Sequence, residues 1–109
     1  MNILKSNENE MFFITAFEKL PDKNLDTGYT RCFGFYPEYE AAVKALHENR
    51  CDMHETCYGY AIIEKIAPGI HPNCFYEERQ FFKWDKNKEG FFEINEPKEC
   101  KILCNFSLG

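Results

Sequence analysis

Arginine is scarce in this chain: Arg31, Arg50 and Arg79 are the only three among 109 residues. Acidic side chains outnumber basic ones, 18 to 13, and the net charge is −5. Binding a nucleic-acid polymer needs a basic stripe along the phosphate backbone, so that class is excluded. A small anion held by one or two arginines is not. No apolar run approaches the roughly 18 residues of a membrane-spanning helix, so no membrane partner is expected. No glycine-rich phosphate loop is present, which removes mononucleotide sites of the Rossmann or P-loop kind. Internal repeats, linkers and low-complexity stretches are also missing. Residues 1–10 are polar and hold no apolar stretch of the signal-peptide type, and are expected to form a flexible N-terminal segment.

Six cysteines in a short chain raise the question of a disulfide framework. Without a secretory leader, and with several cysteines inside apparent strands or helices, the expectation is reduced thiols acting as small hydrophobes in a cytoplasmic protein. No cofactor and no resident metal is expected.

What the chain does have is aromatic residues, 17% of the total and most of them phenylalanine. They imply a globular core with rings to spare for a ligand pocket. Residues 11–109 are long enough for one domain with a sizeable core. Met11 to Phe17 and Thr30 to Tyr36 read as strands pairing antiparallel, with Gly34 marking a bulge or a close backbone approach. Pro37 opens a helix over Glu38 to Glu48. Tyr39, Ala42, Val43 and Leu46 form its apolar stripe, Glu40 and Lys44 an outer i,i+4 pair, and Asn49 its C-terminal cap. Tyr58 to Ala67 predicts a central strand. Arg79 to Asp85 and Gly90 to Ile94 predict a hairpin, and Pro97 a short C-terminal helix to Leu103, with the tail from Asn105 docked on the sheet. The expected fold is α+β: a mostly antiparallel sheet of about five strands, one main helix packed on a face, and that short helix.

Between the helix and the central strand lies Asn49-Arg50-Cys51-Asp52-Met53-His54-Glu55. Seven residues carry a cation, two carboxylates, an imidazole and a thiol, on a loop where binding chemistry concentrates. Three chemistries use these groups. Cys51, His54 and Cys57 suit Zn²⁺, with His47, His71 or Cys74 as a fourth ligand, but no second closely spaced pair completes the tetrahedron. A Cys–His nucleophile drawn from Cys51, His54 and Asp52 or Glu55 needs a geometry that neighbours in one loop seldom reach, and carboxylate hydrolysis through Asp52, Glu55 and His71 is the related alternative. Ligand binding asks less: Arg50, His54, His71 and Arg79 as donors, with Tyr58, Tyr60, Phe81, Phe82 and Trp84 as ring faces. The candidate ligand-binding set is Arg50, Asp52, His54, Glu55, Tyr60, His71, Arg79, Phe82 and Trp84. It requires the strand from Tyr58 to neighbour the strand from Arg79.

Asn49 to Glu55, Tyr60 to Glu64, Gly69 to Pro72 and Phe82 to Asp85 together resemble a family of short proteins from gut Firmicutes, their phages and mobile elements. The resemblance runs from about Met11 to Gly109. It carries over no catalytic or binding residue, and implies a phage-associated role. The leading expectation is a small non-enzymatic binding protein, in its sharpest form an anti-defence protein that sequesters a nucleotide-derived signal. The runner-up is an interaction module that inhibits or regulates a partner protein through an acidic face. A third reading is a small hydrolase or metal-dependent enzyme using Asp52, His54 and His71. Homo-oligomerisation stays open.

Overall fold

The computed structural model describes residues 10–55, 57–69, 78–101, 103, 106 and 107. Most of the expected N-terminal segment, His71, Cys74, Cys104 and the side chain of Glu55 lie outside the described residues.

Five strands form one antiparallel sheet: β1 Met11–Phe17, β2 Thr30–Tyr36, β3 Tyr60–Ile66, β4 Arg79–Asp85 and β5 Gly90–Ile94. Their spatial order is β2-β1-β3-β4-β5, so β3 is central and β2 and β5 are the edges. One helix, α1 Tyr39–His47, packs on one face. The chain is therefore an α+β fold. Strands β1, β2, β4 and β5 keep the bounds expected from sequence. β3 is shorter at both ends than the expected Tyr58 to Ala67, and the C-terminal helix is a single 3-10 turn at Lys98–Cys100. Among the described residues no helix is long and apolar enough to cross a membrane.

Strand alternation sends side chains to two separate cores. On the helix side, Ile14, Ala61, Ile63, Phe82 and Phe91 pack against Ala42, Ala45, Leu46 and Met53. Ala42 and Ala45 are small enough to bring α1 close to the sheet. Tyr39 and Val43, expected to be buried, sit half-buried at the rim, and Ala45 takes the place beneath. Lys44 pairs with Glu48 at 3.9 Å rather than with Glu40. On the other side, Phe17, Ile62, Phe81 and Cys100 form the second core, flanked by Tyr60 and Phe106. Phe106 lies 4.9 Å from Phe17, centroid to centroid, so the tail does dock on the sheet there.

Two glycines fix details that position the site. Ile14 faces Gly34 and Thr15 faces Cys32, which leaves Phe33 as the extra residue of a β-bulge. Gly34 has φ +148°, open to glycine alone. Without the bulge, Phe33 and Tyr36 would face opposite ways; with it, both lie against the helix-side core. At β5, a Cβ on Gly90 would run into the His47 carbonyl, so glycine lets the strand close on the end of α1.

Candidate functional site

The helix ends as its sequence suggests. Asn49 turns left-handed at φ 51°, and its N–H donates to the Leu46 carbonyl at 3.2 Å. The chain then does something less common. Cys51 and Asp52 are also left-handed, at φ 61° and 50°. Three non-glycine residues within four positions adopt a conformation that costs roughly 1–2 kcal/mol each, less for Asn and Asp. Such strain persists only where its surroundings hold it. Here the Asn49 Oδ1 accepts the His54 N–H at 3.0 Å, and the Asn49 carbonyl accepts the Asp52 N–H at 3.0 Å. Met53 is buried in the helix-side core. The His54 ring stacks on Trp84 at 3.8 Å and 6°, and its Nδ1–H donates to the Tyr58 carbonyl at 2.9 Å.

This braced turn faces edge strand β2 across a groove with two lobes. The larger, of about 340 Å³, is lined by Tyr29, Arg31 and Phe33 from the strand side, and by Cys51, Asp52, Met53, Cys57 and Tyr58 from the turn. Phe33 meets Tyr58 edge to face at 5.6 Å and 89°, and the Arg31 guanidinium carbon lies 4.7 Å from the centre of the Phe33 ring. Tyr29 is 71% exposed. Arg31 and Asp52 line the same lobe yet form no ion pair with each other or with any described residue. The smaller lobe, of about 240 Å³, lies between Phe35, Tyr36, Arg50 and Ala45; Phe33, Cys51 and Met53 form the waist between the two.

The expected site residues divide. Asp52 lines the larger lobe and Arg50 the smaller. Arg50 is oriented by Glu48, through Nε at 3.1 Å and Nη2 at 3.0 Å, and by the Tyr36 hydroxyl at 3.1 Å, rather than by Asp52. Those partners push its pKa up, Tyr36 most. His54 and Trp84 brace the turn from beneath. β3 and β4 are neighbours, as the site required, but the pleat splits their residues. Phe82 is fully buried in the helix-side core and offers no ring face, and Phe81 is buried on the far side. Tyr60 stacks on Phe17 on that far side, at 5.4 Å. Arg79 lies there too, its side chain 2% exposed, with Nη2 2.9 Å from Glu96 Oε2, Nη1 donating to the Leu103 carbonyl at 3.0 Å and Nη2 to Cys100 at 3.3 Å. The expectation that Tyr60 and Arg79 share a site with the 49–55 turn is therefore corrected. His71 and the Glu55 side chain lie outside the described residues.

Among the described residues no group of three or more Cys, His, Asp or Glu is placed to hold a metal, since His54 faces Trp84 while Cys51 and Cys57 face the groove. His47, the other described imidazole, stacks on Phe92 at 4.2 Å with Nε2 3.0 Å from Glu93 Oε1, and lines neither lobe. Tyr29, Arg31 and Phe33 were not among the expected site residues. Their spacing by two, with Arg31 and Phe33 on the predicted strand and Tyr29 just before it, was the available signal, because it sets them on one face. Comparison of the chain with family models, curated proteins and solved structures finds no match in any of the three.

Proposed function

We propose that the chain is a non-enzymatic binding protein that takes a small ring-bearing anion, such as a nucleotide-derived signal, in the larger lobe of the groove. One observation carries this: three ring-bearing side chains and a guanidinium that forms no ion pair among the described residues line one cleft whose wall is a strained, braced turn. Ring faces with arginine are the complement of a base and its phosphate. A volume of about 340 Å³ falls at the small end of ligand pockets, roughly 300–1,000 Å³. Binding by itself removes a signal from circulation, so no catalytic group is needed. That is the work of a mobile-element protein that blunts a host nucleotide signal.

Calorimetric titration with linear and cyclic nucleotides tests it. Wild-type protein binds at least one of them. Arg31→Ala weakens that binding by roughly 1.5–3 kcal/mol, the range for a charged hydrogen bond, and keeps its thermal stability. Bound ligand also shields Cys51 and Cys57 from alkylation. Flat wild-type titrations across the panel reject the proposal.

A second reading has its own support. Among the described residues β2 pairs only with β1, and Tyr29 and Phe35, 71% and 57% exposed, flank its outer edge. An edge strand beside a groove suits a partner protein adding a strand. Flat nucleotide titrations together with protection of β2 amides by a partner would favour this reading.

A further inference from the structure

Resting on the cleft reading above, we infer that the larger lobe selects guanine among the bases, through the Asp52 carboxylate. The lobe is bipolar. Arg31 supplies its cation and Asp52 a carboxylate, and Asp52 makes no side-chain hydrogen bond or ion pair among the described residues. A carboxylate only accepts hydrogen bonds. Beside a bound phosphate it is repulsive, so it cannot serve the anionic end of a ligand. At the ring end it demands N–H donors.

The bases differ there. Guanine presents N1–H and the exocyclic N2–H side by side, one for each carboxylate oxygen. Adenine and cytosine each set an amino group beside a ring nitrogen that accepts, and the carboxylate repels that nitrogen. Uracil flanks its single N–H with two carbonyls. Only guanine satisfies both oxygens with nothing repelled. Phe33 and Tyr29 then offer faces for stacking, and Arg31 meets the phosphate. The lobe has room for one nucleotide. A carboxylate that bonds a donor pair disfavours the analogue that lacks it, because it then gives up water without gaining both donors.

The test titrates the full chain with guanosine, inosine and adenosine 5′-monophosphates. Inosine keeps N1–H and lacks the amino group. The expected order is guanosine tightest, inosine weaker, and adenosine weaker than guanosine by at least about tenfold, the lower bound for a charged hydrogen bond. Asp52→Asn keeps the left-handed turn, since Asn tolerates φ near 50°, and it closes the gap between guanosine and adenosine. Arg31→Ala weakens both without closing the gap. Equal wild-type affinity for guanosine and adenosine monophosphates overturns the guanine inference and leaves the cleft reading standing. So does a gap that survives in Asp52→Asn. If none of the three binds and the wider nucleotide panel is also flat, both fall.

Discussion

On the face away from α1, charge is buried and tied down. Glu64 is 3% exposed and accepts from the Phe106 N–H at 2.8 Å, the Ser107 N–H at 3.0 Å and the Ser107 hydroxyl at 2.9 Å. Arg79 closes on Glu96 and on two carbonyls of the same C-terminal segment. On the helix side, at the groove, Arg31 and Asp52 are exposed and make no ion pair among the described residues. The same kinds of side chain thus do opposite work on the two faces. Buried ionic groups need partners to offset desolvation, and their partners here are backbone groups that fix the path of the tail. The groups at the groove have water for a partner and can exchange it for a ligand.

Removing a tied group should cost stability and leave the groove alone. Arg79→Ala strips the donor from two carbonyls and leaves Glu96 alone; breaking a buried pair costs roughly 3–5 kcal/mol. The low end is expected because Glu96 keeps 32% exposure and rehydrates. The matched change on the helix side is Leu46→Ala, which opens a cavity under α1 for roughly 2–5 kcal/mol. Urea titration measures both. The comparison breaks if Arg79→Ala costs no more than a surface substitution, or if it abolishes nucleotide binding that Leu46→Ala spares.

Thr15 sits on the far face as an exception. Its hydroxyl is buried between β2 and β3 with no hydrogen-bond partner among the described residues. Thr15→Val keeps the shape and removes the unpaired group, so stability should rise by roughly 1–3 kcal/mol, the cost of leaving such a group unsatisfied. A loss of stability in the same titration would show that the hydroxyl has a partner, and that the far face tolerates no orphaned polar atom.

Much of this contrast could not be read from the sequence. The bounds of every strand but β3 were legible because apolar, β-branched and aromatic runs end at Pro, Gly and charged residues. The helix was legible from its 3.6-residue stripe, and Asn49 from its place after it. The roles of the arginines were not. Arg79 is buried by carbonyls 21 and 24 residues further along, and Arg50 is turned by Tyr36, 14 residues back. The 49–55 turn stood out by composition, but its partner across the groove is β2. That pairing depends on a bulge and on three left-handed residues whose side chains do not demand them.

Burial pushes the Glu64 carboxyl above its ordinary value of 4.5, against the pull of the Phe106 and Ser107 hydrogen bonds and Arg79. A carboxyl raised on folding holds its proton more tightly in the native state than in the unfolded one. Between 4.5 and the raised value the native state therefore binds more protons, and stability falls as pH rises through that window. Exposed carboxylates with lowered values act the other way, so the measurement is a difference. Unfolding free energies of wild type and Glu64→Gln, followed upward from pH 4.5, should show the wild-type value dropping relative to the variant. A wild-type value that climbs instead would mean the three hydrogen bonds outweigh burial, and that the far face holds a fully ionised carboxylate.

The smallest effect concerns the strain that shapes the groove. Cys51 is exposed and left-handed at φ 61°. Cys51→Gly relieves roughly 1–2 kcal/mol of backbone strain and adds about 0.5–1 kcal/mol of chain entropy to be lost on folding. The net gain in stability is then about 1.5 kcal/mol or less. Binding should move the other way, because the turn that carries Asp52 is no longer confined by its own backbone and the groove loses a wall at its waist. A small rise in melting temperature with a weaker nucleotide affinity is the signature of strain kept for preorganisation. Stability and affinity falling together would instead make Cys51 an ordinary structural residue, and the difference between the two faces would then lie in charge alone.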